Sequence, residues 1–260
     1  MAEELEISKE LIDLANSPLV LRIRNFPATA SALDADELLV IYKALRDTAP
    51  HRHERGRKYF VEGHIGVPST KGASNRVEEH LAIALCNDMA GLPLGESDEI
   101  GLLDYQVPLK ARQSDAGIGK VDILGVTVSG RVAVAELKVS TDSSKGDNPL
   151  RALLESLAYC AIVEANASDI SNEIEDTFSI ETTGGRPNLV VMGPNDYWST
   201  WKHPALATVF ELSDRLARTF DMGIWFLSLG HIDVIPGSGG TKPQLIGEVS
   251  TTVLHRSKCE

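Results

Sequence analysis

The chain has 260 residues, 43% hydrophobic and 24% charged, the balance of an ordinary globular protein with enough length to bury a substantial core. Its net charge of −12 argues against sequence-independent coating of nucleic acid, which draws its affinity from broad basic surfaces, but leaves room for a local basic groove. No apolar run approaches the roughly 20 residues that span a bilayer, and the acidic start "MAEELEISKELIDLA" lacks the pattern of a secretion signal. Cys86, Cys160 and Cys259 form no CxxC pair, so a reducing, cytoplasmic setting is expected rather than a disulfide framework or a zinc site.

Two short helices are expected first, one over about Glu3 to Ala15 and one carrying Leu38, Leu39, Tyr42 and Leu45 at helical spacing, with Asp34 as its cap. Pro27, Pro50, Gly56, Gly63, Gly66 and Pro68 make this part loop-rich, and "HRHERGRK" reads as a solvated loop ahead of a phosphate contact. "GASNRVEEHLAIALCNDMAG" reads as a helix capped by Ser74 or Asn75 and stopped at Gly91. Strands follow over about Leu102 to Ala111, Lys120 to Val128 and Val132 to Val139. A helix then opens on Asn148 and Pro149, with Leu150, Leu153, Leu154, Leu157 and Ala161 as its apolar stripe.

The polar stretch from Ser168 to Arg186 receives no assignment. "NLVVMG" is a strand, "ALATVFELSDRLARTF" a helix, and "GIWFLSL" and "HIDVI" late strands. Trp198 and Trp201 are expected to cap a core rather than stack on a base, and "PGSGG" lacks the Lys-Ser/Thr of a phosphate loop. The order of elements predicts an α/β fold, a mixed β-sheet flanked by helices over residues 71–260, preceded by a helical, loop-rich N-terminal extension over 1–70.

Three charges sit inside the apolar run "VDILGVTVSGRVAVAELKV": Asp122, Glu136 and Lys138. Buried charges are costly unless paired or metal-bound. Strand alternation puts Glu136 and Lys138 on one face, at the end of an apolar ladder. Alone this means little, because a Glu-x-Lys triplet arises by chance about once in a chain of ordinary composition. Its company is more telling. Glu78-Glu79 lies in the first turn of the preceding helix, and Glu155 and Tyr159 are i, i+4 on the following one.

The ordered set "RVEEHL", "KVDIL", "AVAELKV" and "LLESLAYC" resembles the PD-(D/E)xK nuclease superfamily over about Ala73 to Val163. Val121 stands where the motif has Pro, and Glu155 where its helix has Gln, an acceptor-only group in place of an amide. The resemblance implies a restriction-endonuclease-like core and a Mg²⁺-dependent endonuclease acting on DNA. Asp122, Glu136, the carbonyl of Leu137 and Glu78 would hold the cation, for which Mn²⁺ would substitute. Lys138 would act on the attacking water, with Glu155 and Tyr159 in support. Carboxylates converging on one point suit a hard, oxygen-seeking cation. Glu78 is preferred to Glu79, which helical geometry turns further toward solvent.

The hairpin supplies a test of register. A two-residue Ser129-Gly130 turn would point Asp122 to the wrong face, because a one-residue slip flips every side chain. The nuclease reading therefore requires a three-residue connection, drawn here as Ser129 to Arg131, or a bulge. Two rivals stand beside it: a silent nucleic-acid- or protein-binding module of the same fold, and a hydrolase of small phosphate esters. Whether two chains pair to cut both strands is left open by the sequence.

Overall fold

The computed structural model describes residues 10–60, 66, 77–89, 91–96, 98–140, 146–237, 240–247 and 249–257. In chain order it begins with helices α1 (Glu10–Ala15), α2 (Pro18–Leu21), α3 (Phe26–Ala32) and α4 (Ala35–Asp47). Then come α5 (Val77–Asp88) and strands β1 (Gly91–Pro93), β2 (Glu99–Pro108), β3 (Lys120–Thr127) and β4 (Val132–Leu137). Helices α6 (Pro149–Ala165) and α7 (Ala167–Phe178), strand β5 (Asn188–Gly193), and helices α8 (Asn195–Ser199) and α9 (His203–Phe220) follow. The chain ends in β6 (Ile224–Ser228), β7 (Asp233–Ile235), β8 (Gln244–Ile246) and β9 (Thr252–Ser257).

Among the described residues the main sheet has seven strands in the order β1-β2-β3-β4-β5-β6-β9. The β4–β5 and β5–β6 pairs are parallel and the others antiparallel. The parallel pairs follow from their helical crossovers, α6–α7 and α8–α9, whereas β3 and β4 are joined by a tight hairpin. The fold class expected from the sequence, an α/β mixed sheet flanked by helices, is the one observed.

The local signals explain most boundaries. Asp34 caps α4 by accepting from the Asp36 and Glu37 amides at 2.9 and 3.0 Å. Asn148 caps α6 by accepting from the Arg151 amide at 3.0 Å, with Pro149 at the first helical position. Helix α6 is buried all round because it lies between the sheet and the N-terminal helices. Leu11, Phe26, Leu38 and Tyr42 share one core cluster with Leu153, Leu157, Val134 and Leu189. The described N-terminal helices are therefore packed on the α6 face of the sheet.

Several expectations need correction. Gly91 is not the stop of α5, which ends at Asp88; it opens the edge strand β1. The unassigned polar stretch contains α7, anchored by Ile170 and Ile174. "HIDVI" does not join the main sheet, since β7 pairs with β8 in a separate ribbon, and the sheet edge is instead taken by β9. The caps Ser74 and Asn75, the first nine residues and Cys259 lie outside the described residues. In "HRHERGRK" His53 to Lys58 are exposed, as a solvated loop should be, and the exception is Arg52, which is buried and donates to the Lys58 carbonyl at 3.0 Å. Trp198 is also structural, its indole N–H donating to Leu227 O at 2.8 Å.

Candidate active site

The β3–β4 hairpin decides which face the charges take. Ile123 pairs with Ala135, Leu124 with Val134 and Val126 with Val132. The Thr127 amide donates to the Arg131 carbonyl at 2.9 Å, leaving Val128, Ser129 and Gly130 as a three-residue connection. The length is the one the register argument required. Its position is one residue earlier than drawn, so one step beyond the ladder Asp122 falls opposite Glu136 rather than Lys138. Gly130, at φ +80°, supplies the left-handed residue that a three-residue hairpin uses.

Asp122 and Glu136 thus share the α6 face, and Lys138 follows two residues on. All three are buried. The Asp122 carboxylate accepts from the Leu137 amide at 3.0 Å and from the Gln106 amide at 2.8 Å. Lys138 Nζ donates to Glu136 Oε1 at 2.6 Å, and lies 3.5 Å from Glu155 and 3.7 Å from Asp147. Tyr159 donates its hydroxyl to Glu155 at 3.0 Å. From the opposite face of the sheet, Glu78 accepts from the Val139 amide at 3.3 Å. The structure therefore gathers Glu78, Asp122, Glu136, Leu137, Lys138, Glu155 and Tyr159 at one end of the sheet.

Glu79 is buried rather than turned to solvent. Helix α5 is covered on two sides, by β2 and β3 and by the β7–β8 ribbon, so its outer face is not free. Sequence reasoning also missed three contributors. Gln106 comes from β2, and Asp147 with Arg151 forms an i, i+4 ion pair at the start of α6. The Asp147–Arg151 spacing was a readable helix-pair signal. Gln106 left none, because its role depends on the pairing of β2 with β3.

The electrostatics are those of an acidic excess. Among the described residues five carboxylates, Glu78, Asp122, Glu136, Asp147 and Glu155, surround two cations, Lys138 and Arg151. Burial pushes the Glu136 carboxyl well above the ordinary range, and Asp122 pushes it further. Burial likewise raises Asp122 and Glu78, each partly opposed by Lys138. Burial works to lower Lys138, but Glu136, Glu155, Asp122 and Glu78 overcome it and hold the ammonium well above its ordinary value.

Glu136 Oε2 is buried with no hydrogen-bond partner. An unpaired oxygen on a carboxyl raised by burial can be satisfied by a proton or by a cation. Among the described residues no group of three or more His, Cys, Asp or Glu side chains is set to enclose a metal ion. Mg²⁺ does not need such a cage, since it takes one or two carboxylates and keeps waters and substrate oxygens. The donor set fits it on those terms.

The site lies where ligands collect in sheets of this kind, at the carboxyl ends of the parallel strands. A groove of about 500 Å³ opens beside that end on the α5 face, between Val77 and Leu81 of α5, Val139 after β4, Pro194 after β5 and Asp233 and Val234 of the β7–β8 ribbon; Asp122, Glu136 and Lys138 do not line it. On the α6 side the wall is tight. A Cβ on Gly119 would collide with Tyr159 Oη, and Tyr159 is too buried to swing aside freely. Gly119→Ala is expected to cost about 1–3 kcal/mol by overpacking. Urea unfolding checks this, and the cost should largely vanish in a Tyr159→Phe background.

With the site's geometry in hand, comparison with known proteins finds no matching family model, no matching curated protein and no matching solved structure.

Proposed function

We propose that this chain is a cytoplasmic, Mg²⁺-dependent endonuclease of the PD-(D/E)xK kind, with a restriction-endonuclease-like core, that hydrolyses phosphodiester bonds in DNA. The observation that carries the reading is the convergence of buried Asp122, Glu136 and Lys138 on one face of adjacent strands, with one Glu136 oxygen unpartnered. Among the described residues no helix is long and apolar enough to cross a membrane.

Asp122 and Glu136 would hold the cation with the Leu137 carbonyl, and Glu78 would reach it directly or through water. When bound, the cation would neutralise phosphate charge and make water a better nucleophile. Lys138 does the chain's own work on the reacting atoms. Its ammonium is fixed by Glu136 and Glu155, so it can orient the attacking water and stabilise the charge that gathers on the phosphate oxygens. Tyr159 donates to Glu155 and so holds that α6 carboxylate beside Lys138. Water adds to phosphorus, the bond to the leaving sugar oxygen breaks, and a monoester and a hydroxyl remain.

A second reading, a silent binding module of the same fold, draws on the closure of Lys138 onto Glu136 and the absence of a three-donor cluster among the described residues. Incubating supercoiled plasmid and labelled single strands with Mg²⁺ or Mn²⁺ separates the two. The nuclease reading expects cutting by the parent chain that disappears in Asp122→Ala and in Lys138→Ala. Binding without cutting on every substrate would favour the module.

A further inference from the structure

Gln106 lies inside β2 with φ +50°, the left-handed region that a residue with a Cβ disfavours. Its neighbours change sides of the sheet across this point. Tyr105, opposite Ile123, packs in the core cluster on the α5 side, whereas Val107, opposite Val121, packs in the cluster on the α6 side. An unbroken strand would send positions 105 and 107 to the same face. The partner strand changes sides at the same level, Ile123 lying in the α5-side cluster and Val121 in the α6-side one, so β2 and β3 roll together here, and from the left-handed backbone of Gln106 the side-chain amide reaches Asp122 Oδ1 at 2.8 Å. Glycine would adopt this backbone without strain, yet the position carries a long amide.

We infer that Gln106 is a positioning residue, bearing backbone strain in order to keep a hydrogen-bond donor on the carboxylate of Asp122. The other oxygen of that carboxylate is held by the Leu137 amide at 3.0 Å. With one donor on each oxygen the group cannot rotate, which fixes the lone pairs left to face a cation. Partners of this kind, behind a ligating carboxylate, typically matter by about 10–100-fold in metal affinity. The inference rests on the cation-binding reading proposed above and adds to it the residue that aims one of the ligands.

Two substitutions separate aim from packing. Gln106→Met keeps the length and the strain but removes the donor; Gln106→Gly removes the donor and the strain together. Calorimetric titration with Mn²⁺ alone is expected to show binding at least about ten-fold weaker in both variants than in the parent. The metal-free melting temperature of the glycine variant should equal or exceed that of the parent, while the methionine variant should not. Mn²⁺ affinity unchanged in both variants would overturn the inference while the cation site stood, as would a glycine variant that melts below the parent. A parent chain that binds no Mn²⁺ would remove the cation reading and this inference with it.

Discussion

Lys138→Met is expected to destabilise the metal-free chain by about 3–5 kcal/mol, whereas Glu136→Gln should cost little or raise stability. The asymmetry follows from the count of charges. Lys138 is the ammonium that Glu136, Glu155, Asp122, Glu78 and Asp147 all face. Removing it leaves buried carboxylates repelling one another, with Arg151 the remaining counter-charge among the described residues, and Arg151 is already committed to Asp147. Removing the Glu136 charge instead relieves that repulsion and leaves Lys138 with Glu155 at 3.5 Å and Asp147 at 3.7 Å. Urea unfolding of both variants at neutral pH without metal makes the comparison. Equal losses would describe an isolated ion pair, in which either partner's removal strands the other, and would speak against an acidic excess awaiting a cation.

The candidate site was legible to the extent that it is local. Alternation along β4 puts Glu136 and Lys138 on one face, and i, i+4 spacing puts Glu155 beside Tyr159, whatever the fold. Hairpin parity could be argued as a condition, but the position of the turn could not. Val128 and Ser129 are equally plausible first turn residues, and only the pairing of Thr127 with Arg131 selects one. Gln106 was invisible because nothing in "DYQVP" says which residue of the next strand it will face. The missed elements have similar causes. Helix α7 is rich in Ser, Asn and Asp, poor helix formers, and is held by Ile170, Ile174 and the burial of Glu173 against the Tyr59 and Phe60 amides. Strand β9 is a half-exposed edge that earns its place from β6, with His255 stacked on Phe210 at 4.6 Å.

The fall of stability with rising pH should be opposed when Mg²⁺ is added. Asp122, Glu136 and Glu78 have carboxyls raised by burial above their ordinary values. A carboxyl raised on folding contributes stability that is fully present below its unfolded value and is lost as pH rises through the folded one. Lys138, raised by its partners, contributes in full below the ordinary lysine value, so it does not offset this loss between acid and neutral pH. The metal-free melting temperature should therefore fall as pH rises out of the carboxylate range. A cation binds only the ionised form, so its stabilisation grows over the same interval. At 100-fold excess over its dissociation constant it supplies about 2.7 kcal/mol, roughly 5–10 °C for a chain of this size. Scanning calorimetry from pH 5 to 8, with and without Mg²⁺, should give two curves that diverge with pH. In Asp122→Asn/Glu136→Gln the metal-free curve should flatten and the Mg²⁺ increment disappear. Parallel curves for the parent would mean that the raised carboxyls are an electrostatic liability that no cation relieves, and would leave the fold with a binding role only.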